Sequence, residues 1–321
     1  MLSLAHSQKM SLVTDGYAII PGAVAPIQID ATLKAINHWL GKGMPPEKVN
    51  EYWKLSFCPE LRDQPLITDL MNHGCVHELT ESVIGVGKVG PVPEGQIALR
   101  FPTFSDDKAD SPGHIDGMYP PSPANPDGVL NNFTAVVGIQ LSDMSRPGMG
   151  NLSVWPGSHR KAAAHLRDAG PQSLYMGIPK IDYGEPIQIT ANAGDMIIMH
   201  YLLVHGVTHN HAPHTRYALY YRPKHENHDR ESKESMTDLW RHWEGLAEEV
   251  KLADSLPPAA ARAVTTPTPT VPAMATPLVG LPPTPPHLQG STFRPEPKAL
   301  VIGGRPRGNW LKRKLRAIAK A

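Results

Sequence analysis

The chain has 321 residues, 40% of them hydrophobic and 19% charged, with a formal net charge of +1. That apolar share excludes wholesale disorder, and no run approaches the ~18 consecutive apolar residues of a membrane span. Two cysteines, Cys58 and Cys75, are too few for a disulfide framework or for a zinc site of their own. The opening MLSLAHSQKMSLVTDGYAII lacks the basic, apolar and small-residue blocks of a secretory signal, so the expectation is a soluble, cytoplasmic protein. Thirteen of the 34 prolines fall between Pro257 and Pro306, in a low-complexity Pro/Ala/Thr run that favours extended chain over a packed core. Charge divides at the same place. Residues 255–321 carry ten Lys/Arg against one acid, Glu296, whereas residues 1–254 carry 21 basic and 29 acidic side chains. The expected organisation is therefore an acidic globular domain over 1–254 and a basic, proline-rich tail over 255–321.

In chain order, Tyr17 to Ile20 alternates as a short strand and ends at the turn signal Pro21-Gly22. Ile29, Leu33, Ile36 and Leu40 recur at helical spacing and predict a helix over 27–40; a second helix is expected over about 66–84. From Gly95 the character changes. GQIALRFP, NNFTAVVGIQLSDM, GNLSVWPGSH, PIQITANAGDMIIMHYLLVHGV and TRYALYYRP are short β-rich runs punctuated by Gly, Pro, Asn and Asp, the pattern of an all-β sandwich or barrel. A last helix is expected over 235–253. The fold class is mainly β with flanking helices. Near the end, Trp310, Leu311, Leu315 and Ile318 share a helical face among basic residues, a stripe able to dock on the acidic domain, remain solvated or meet a partner.

Within the β region, His114 and Asp116 stand two residues apart. On extended chain, residues i and i+2 point the same way, so imidazole and carboxylate can converge on one ion. His205, closing a strand-like run at Gly206, is the best third ligand. Two histidines and one carboxylate form the facial triad of non-haem Fe(II) oxygenases, whose open positions take a bidentate cosubstrate and O₂. Arg216 lies eleven residues after His205 across GVTHNHAPH, where a hairpin would return it beside His205. A buried arginine offers a planar fork for a carboxylate. A triad plus such a clamp is what 2-oxoglutarate requires, since its keto-acid end chelates iron and its distal carboxylate needs a cation.

The pattern resembles the phytanoyl-CoA dioxygenase family of Fe(II)/2-oxoglutarate oxygenases. The resemblance runs through Asp15-Gly16-Tyr17, His114-x-Asp116, the stretch from Gly150 through Asn151-Leu152 to Pro156-Gly157-Ser158-His159, and His205-x4-Asn210-x5-Arg216. It implies a double-stranded β-helix (jelly-roll) core, metal ligands His114, Asp116 and His205, Arg216 on the 2-oxoglutarate C5 carboxylate, and Fe(II), 2-oxoglutarate and O₂ as the reacting set. Gln96, eighteen residues before His114, stands where the family often places a cosubstrate contact; Arg100 shares its parity and could also face the cavity. Along 133–141, Phe133, Ala135, Val137, Ile139 and Leu141 read as core, and Thr134, Val136, Gly138 and Gln140 as the pocket face. Gln96 and Thr134 read equally as cosubstrate contacts or plain polar lining, and Arg100 equally as a contact or a structural ion pair. The family's bulky aromatic near Gly138 is missing, which could enlarge the pocket. His159 with its Pro-Gly-Ser neighbours reads as turn architecture.

The expected activity is oxidation, chiefly hydroxylation, of a small-molecule C–H bond with release of succinate and CO₂; desaturation, cyclisation or epoxidation use the same oxidant. Asp116 argues against halogenation, whose enzymes in this class have a small residue there. A catalytically silent binding protein on the same fold would show a lost ligand or arginine, and all four residues are present. No nucleic-acid partner is expected.

Overall fold

A computed structural model describes residues 2–103 and 113–256; the proline-rich run, the Trp310–Ile318 stripe and Ser111-Pro112 lie outside the described residues. The elements are α1 (His6–Thr14), β1 (Tyr17–Ile20), α2 (Pro26–Leu40), α3 (Val49–Lys54), α4 (Pro65–Asn72), α5 (Cys75–Ile84), β2 (Gln96–Arg100), β3 (Met118–Tyr119), β4 (Val129–Leu130), β5 (Ala135–Gln140), β6 (Leu152–Val154), α6 (Ser158–Ala169), β7 (Ile187–Gln188), β8 (Met196–His200), β9 (His205–Val207), β10 (Arg216–Tyr221) and α7 (Ala247–Ser255).

A five-stranded sheet in the order β1-β8-β5-β10-β2 and a three-stranded sheet in the order β7-β6-β9 carry the β core, and every pairing within them is antiparallel. Strand alternation sorts each large-sheet residue to one of two apolar layers. Ala18, Ile97, Leu99, Ala135, Val137, Ile139, Met196, Ile198, Leu219 and Tyr221 pack against the buried faces of α1, α2, α4 and α5. Val136, Ile197, Met199 and Tyr220 point the other way, into a second layer with Leu152, Val154 and Leu166. This is the architecture of a jelly roll with helices on its outer side.

The helix expected over 27–40 is α2, entered by Pro26 at its first turn, where a missing N–H costs nothing. The helix expected over 66–84 is two. His73 is extended and Gly74 has φ +73°, so α4 stops and α5 restarts at a new angle. Over 235–253 only the end is α-helical; single 3₁₀ turns at Glu234–Met236 and Glu244–Leu246 precede α7. Between them the chain follows its aromatic partners, with Trp243 stacked on His200 at 5.2 Å and Trp240 edge-on to the same ring at 5.4 Å. Those contacts override helical propensity.

The expected hairpin after His205 does not form. β9 belongs to the small sheet and β10 to the large one, so the intervening residues cross between layers. Arg216 pairs with Arg100 of β2 instead. Buried Asn210 holds this crossover, donating from Nδ2 to the carbonyls of Arg100 and His214, both at 2.8 Å.

Two of the sequence signatures meet as architecture. Gly157 N donates to Asp15 O at 2.9 Å, and the ring of buried His159 lies with Nε2 3.2 Å from Val13 O. A Cβ on Gly16, whose φ is +88°, would come within 2.6 Å of His159 Nδ1, so glycine is required there on both conformational and packing grounds. Ser158 Oγ accepts from Val204 N at 2.9 Å, fixing the residue that precedes His205.

Candidate active site

His114 and His205 face each other through a two-way backbone pair, His114 N to His205 O at 2.9 Å and the reverse at 3.0 Å. The pair sets the rings side by side, centroids 4.5 Å apart. Asp116, two residues on, turns its carboxylate to both: Oδ1 lies 3.3 Å from His114 Nε2 and 3.8 Å from His205 Nε2. One donor atom from each residue falls within 4.8 Å of the others. Donors on one octahedral face with bonds of about 2.1 Å stand about 3 Å apart, so the three sit slightly open of coordination distance.

The donor chemistry fits a divalent iron. His205 Nδ1 lies 2.9 Å from Leu203 O, which only accepts, so Nδ1 carries the hydrogen and Nε2 presents its lone pair to the centre. Burial pulls the His205 imidazolium down to about 4, against the opposing pull of Asp116, keeping the ring neutral. Burial pushes the Asp116 carboxyl up, but the His114 hydrogen bond and the charges of His205, Arg222 and His114 outweigh it and hold the group well below the usual carboxylate range. The centre opens to solvent on the His114 side, where that side chain is 50% exposed.

Arg222 is the residue that sequence reading missed as a part of this centre. Its Nε and Nη2 donate to Asp116 Oδ2 at 3.1 and 2.7 Å, and Nη2 also donates to Gln96 Oε1 at 2.9 Å. Oδ2 is thereby engaged and Oδ1 left to the centre. Gln96 thus stands behind Asp116 through Arg222. The guanidinium also lies 5.7 Å from the Phe133 ring. The signal was available: Arg222 continues the parity of Arg216, Ala218 and Tyr220 by one step beyond β10.

Arg216 is 2% exposed. Its Nε donates to Gly150 O at 2.9 Å and Nη1 to Ala98 O at 3.3 Å. Gly150 has φ +73°, and a Cβ there would meet the Arg100 stem at 2.9 Å. Arg100 is the register partner of Arg216, and burial followed by repulsion from Arg216 pulls it down to about 10. It also stacks over Trp53 at 4.8 Å. Among the described residues neither guanidinium has a carboxylate within ion-pair distance. The structural ion pair considered for Arg100 is therefore not found there.

Thr134 is placed differently from the expectation. Its hydroxyl accepts from His225 N at 2.9 Å and lies 3.4 Å from His228 Nδ1, within a buried group that includes His242. Regular alternation starts only at Ala135. Before it, Phe133 faces the inner layer with Tyr201, and Thr134 is taken up by these histidines. The space at Gly138 is not an enlarged pocket either. The Tyr220 ring fills it from the neighbouring strand, with Cε1 and Cδ1 3.0 and 3.2 Å from where a Gly138 Cβ would be.

No helix among the described residues is long and apolar enough to cross a membrane. Among solved structures, the chain is similar to the non-haem α-ketoglutarate-dependent carbocyclase SnoK from nogalamycin biosynthesis (19% identity, 68% of this chain, 84% of that chain, TM-score 0.47). It is also similar to the α-ketoglutarate-dependent epimerase SnoN of the same biosynthesis (17%, 68% and 82%, TM-score 0.49) and to HygX from Streptomyces hygroscopicus with nickel and 2-oxoglutarate bound (16%, 70% and 88%, TM-score 0.46). No curated protein sequence matches the chain. The family assignment rests on residues 12–218, which match the family described as phytanoyl-CoA dioxygenase. The span includes the whole triad, the arginine pair and both interlocked signatures, and the chain belongs to the phytanoyl-CoA dioxygenase family of non-haem iron, 2-oxoglutarate-dependent oxygenases.

Proposed function

We propose that the enzyme hydroxylates a C–H bond of a small organic molecule, with His114, Asp116 and His205 holding Fe(II) and Arg216, seconded by Arg100, holding the distal carboxylate of 2-oxoglutarate. The observation that carries this reading is the pairing of a facial donor set with the buried guanidinium of Arg216 and the half-buried one of Arg100 across the strand pair, neither with a carboxylate partner among the described residues. An uncompensated buried cation is unfavourable unless a ligand neutralises it. Bound there, iron and 2-oxoglutarate would activate O₂, one oxygen atom entering succinate as CO₂ leaves and the other entering the substrate C–H bond. The chain's own part is positional. Arg222 holds Asp116 by Oδ2, the Leu203 carbonyl fixes the His205 tautomer, and the Phe133 ring lies beside the Arg222 guanidinium. Asp116 as a third ligand supports oxygen transfer over halogenation.

The domain carrying this activity is proposed to be residues 1–254, with 255–321 a tail outside the chemistry, and the enzyme is proposed to be cytoplasmic. The test is incubation of cell extract with enzyme, iron and 2-oxoglutarate, followed by mass spectrometry. A metabolite gaining one oxygen atom, in step with succinate, is the expected result. Loss of two hydrogens instead would replace hydroxylation by desaturation or ring closure. Equal succinate from wild type and Asp116→Ala would remove the assignment of the centre.

A further inference from the structure

Gln140 is a residue of the inner sheet face whose chemistry the assignments above leave unused. It lies on β5 between β8 and β10, wholly buried, and neither its Oε1 nor its Nε2 has a hydrogen-bond partner. A buried primary amide with its side-chain hydrogen bonds unmade forfeits its hydration without return. In a β-strand core a leucine or methionine would fill the same volume without that penalty, so the amide points to a ligand.

Its surroundings narrow the ligand. Gln140 pairs with Ala218, so its diagonal neighbours on the same face of β10 are Arg216 and Tyr220, roughly 7–8 Å away and within reach of long side chains. The amide turns back along its own strand: Nε2 lies 3.8 Å from the position a Gly138 Cβ would take, the position against which the Tyr220 ring packs. Tyr220 shares this face of β10 with Arg216, four residues before it. Ala98, Ala218 and Gly138 form a floor of small side chains among these polar groups. Arg216 alone does not saturate a carboxylate. Its Nε and Nη1 already donate to Gly150 and Ala98, whereas a carboxylate offers about four lone-pair sites.

We propose that Gln140 is a specificity-determining ligand of the cosubstrate, its Nε2 donating to the distal carboxylate held by Arg216. The inference rests on the reading of Arg216 given above. With both donors in place, the site recognises a five-carbon 2-oxo diacid. A 2-oxo acid lacking the second carboxylate leaves the guanidinium and the amide unpaired.

The experiment is titration calorimetry of 2-oxoglutarate and of 2-oxobutyrate into the full-length protein loaded with Mn²⁺ in place of iron. Wild type, Gln140→Leu and Arg216→Met are compared, with thermal unfolding of each in the absence of ligand. Gln140→Leu should weaken 2-oxoglutarate binding about 10- to 100-fold, as expected for loss of a hydrogen bond to a charged group. It should leave 2-oxobutyrate binding unchanged and the unliganded melting temperature no lower than wild type. Wild-type affinity for 2-oxoglutarate in Gln140→Leu, with Arg216→Met impaired, overturns the role of Gln140 alone. Equal weakening of both ligands also overturns it, because the change would then be general damage. Wild-type affinity in Arg216→Met overturns the underlying reading as well. Should the leucine variant not fold, Gln140→Met keeps the side-chain length without the amide and is read by the same outcomes.

Discussion

Arg216→Met tests the cosubstrate clamp most severely, because its effects with and without ligand differ in sign. Arg216 is 2% exposed, faces Arg100 across the β2–β10 pair, and donates to the Gly150 and Ala98 carbonyls. Without 2-oxoglutarate, methionine removes the guanidinium's hydrogen bonds to the Gly150 and Ala98 carbonyls, a loss of about 2–4 kcal/mol. It also removes a buried cation beside a second one, a gain of comparable or larger size. Unliganded stability should therefore hold or rise. With 2-oxoglutarate nothing offsets the loss of a buried, hydrogen-bonded charge pair, about 2–5 kcal/mol, or about 30- to 5,000-fold in Kd. Arg216→Lys keeps the charge without the fork and should fall between. Calorimetry on the Mn²⁺-loaded protein reads the affinities, and differential scanning calorimetry reads the unliganded stability. A methionine variant within about threefold of the wild-type Kd would refute the clamp. A collapse of unliganded stability would show instead that the arginine is structural.

Asp116→Gly should abolish substrate-dependent succinate formation while leaving the two-histidine pair able to take up some metal; unaltered turnover with iron bound would reassign the third ligand. The metal-free protein should lose stability in acid. Burial pulls His200 and His228 down to about 4, and His200 accepts from Leu202 N at Nδ1, where an added proton would clash. Unfolded histidine takes up its proton near 6.5, so stability is full above that pH and falls as pH drops toward about 4, by up to ~3 kcal/mol for His200. Urea midpoints equal at about pH 7 and pH 4.5 would count against this. Truncation after Ser255 should leave a folded protein that still binds iron and 2-oxoglutarate, since every assigned ligand lies upstream; loss of either in melting or titration experiments would move the domain boundary.

Much of the centre was legible because its groups are local in sequence or tied to strand parity. His114 and Asp116 share one short segment, and Gln96 and Arg100 share the inner face of β2. Legibility failed where a residue answers to chain distant from it. Nothing in GVTHNHAPH says that β10 joins the opposite sheet from β9, since turn residues describe a reversal and not its destination. Thr134 keeps a pocket-facing pattern on paper, yet His225 and His228, more than ninety residues on, take its hydroxyl. Tyr220 fills the place of an aromatic that seemed missing at Gly138, a replacement across strands invisible to a reading along one strand. The broken helix at His73-Gly74 was readable in principle, because a glycine after an asparagine-ended run is a stop signal.

The latch between residues 13–16 and the start of α6 has a consequence for how the chain reaches its native state. β1 pairs with β8 through Tyr17 and Met199, and α1 meets α7 through His6 and Glu249, 3.0 Å apart. The sheet partner of β1 and the α7 partner of α1 therefore emerge only after most of the domain has left the ribosome. Contacts of such sequence separation close slowly, because the loop entropy is lost before they form. During synthesis the Tyr17–Ile20 strand is an unpaired edge, exposed for the time needed to translate some 180 residues, at 5–20 residues per second on the order of ten to forty seconds. Its brevity, four residues between a helix and Pro21-Gly22, limits how well it can template association with another nascent chain.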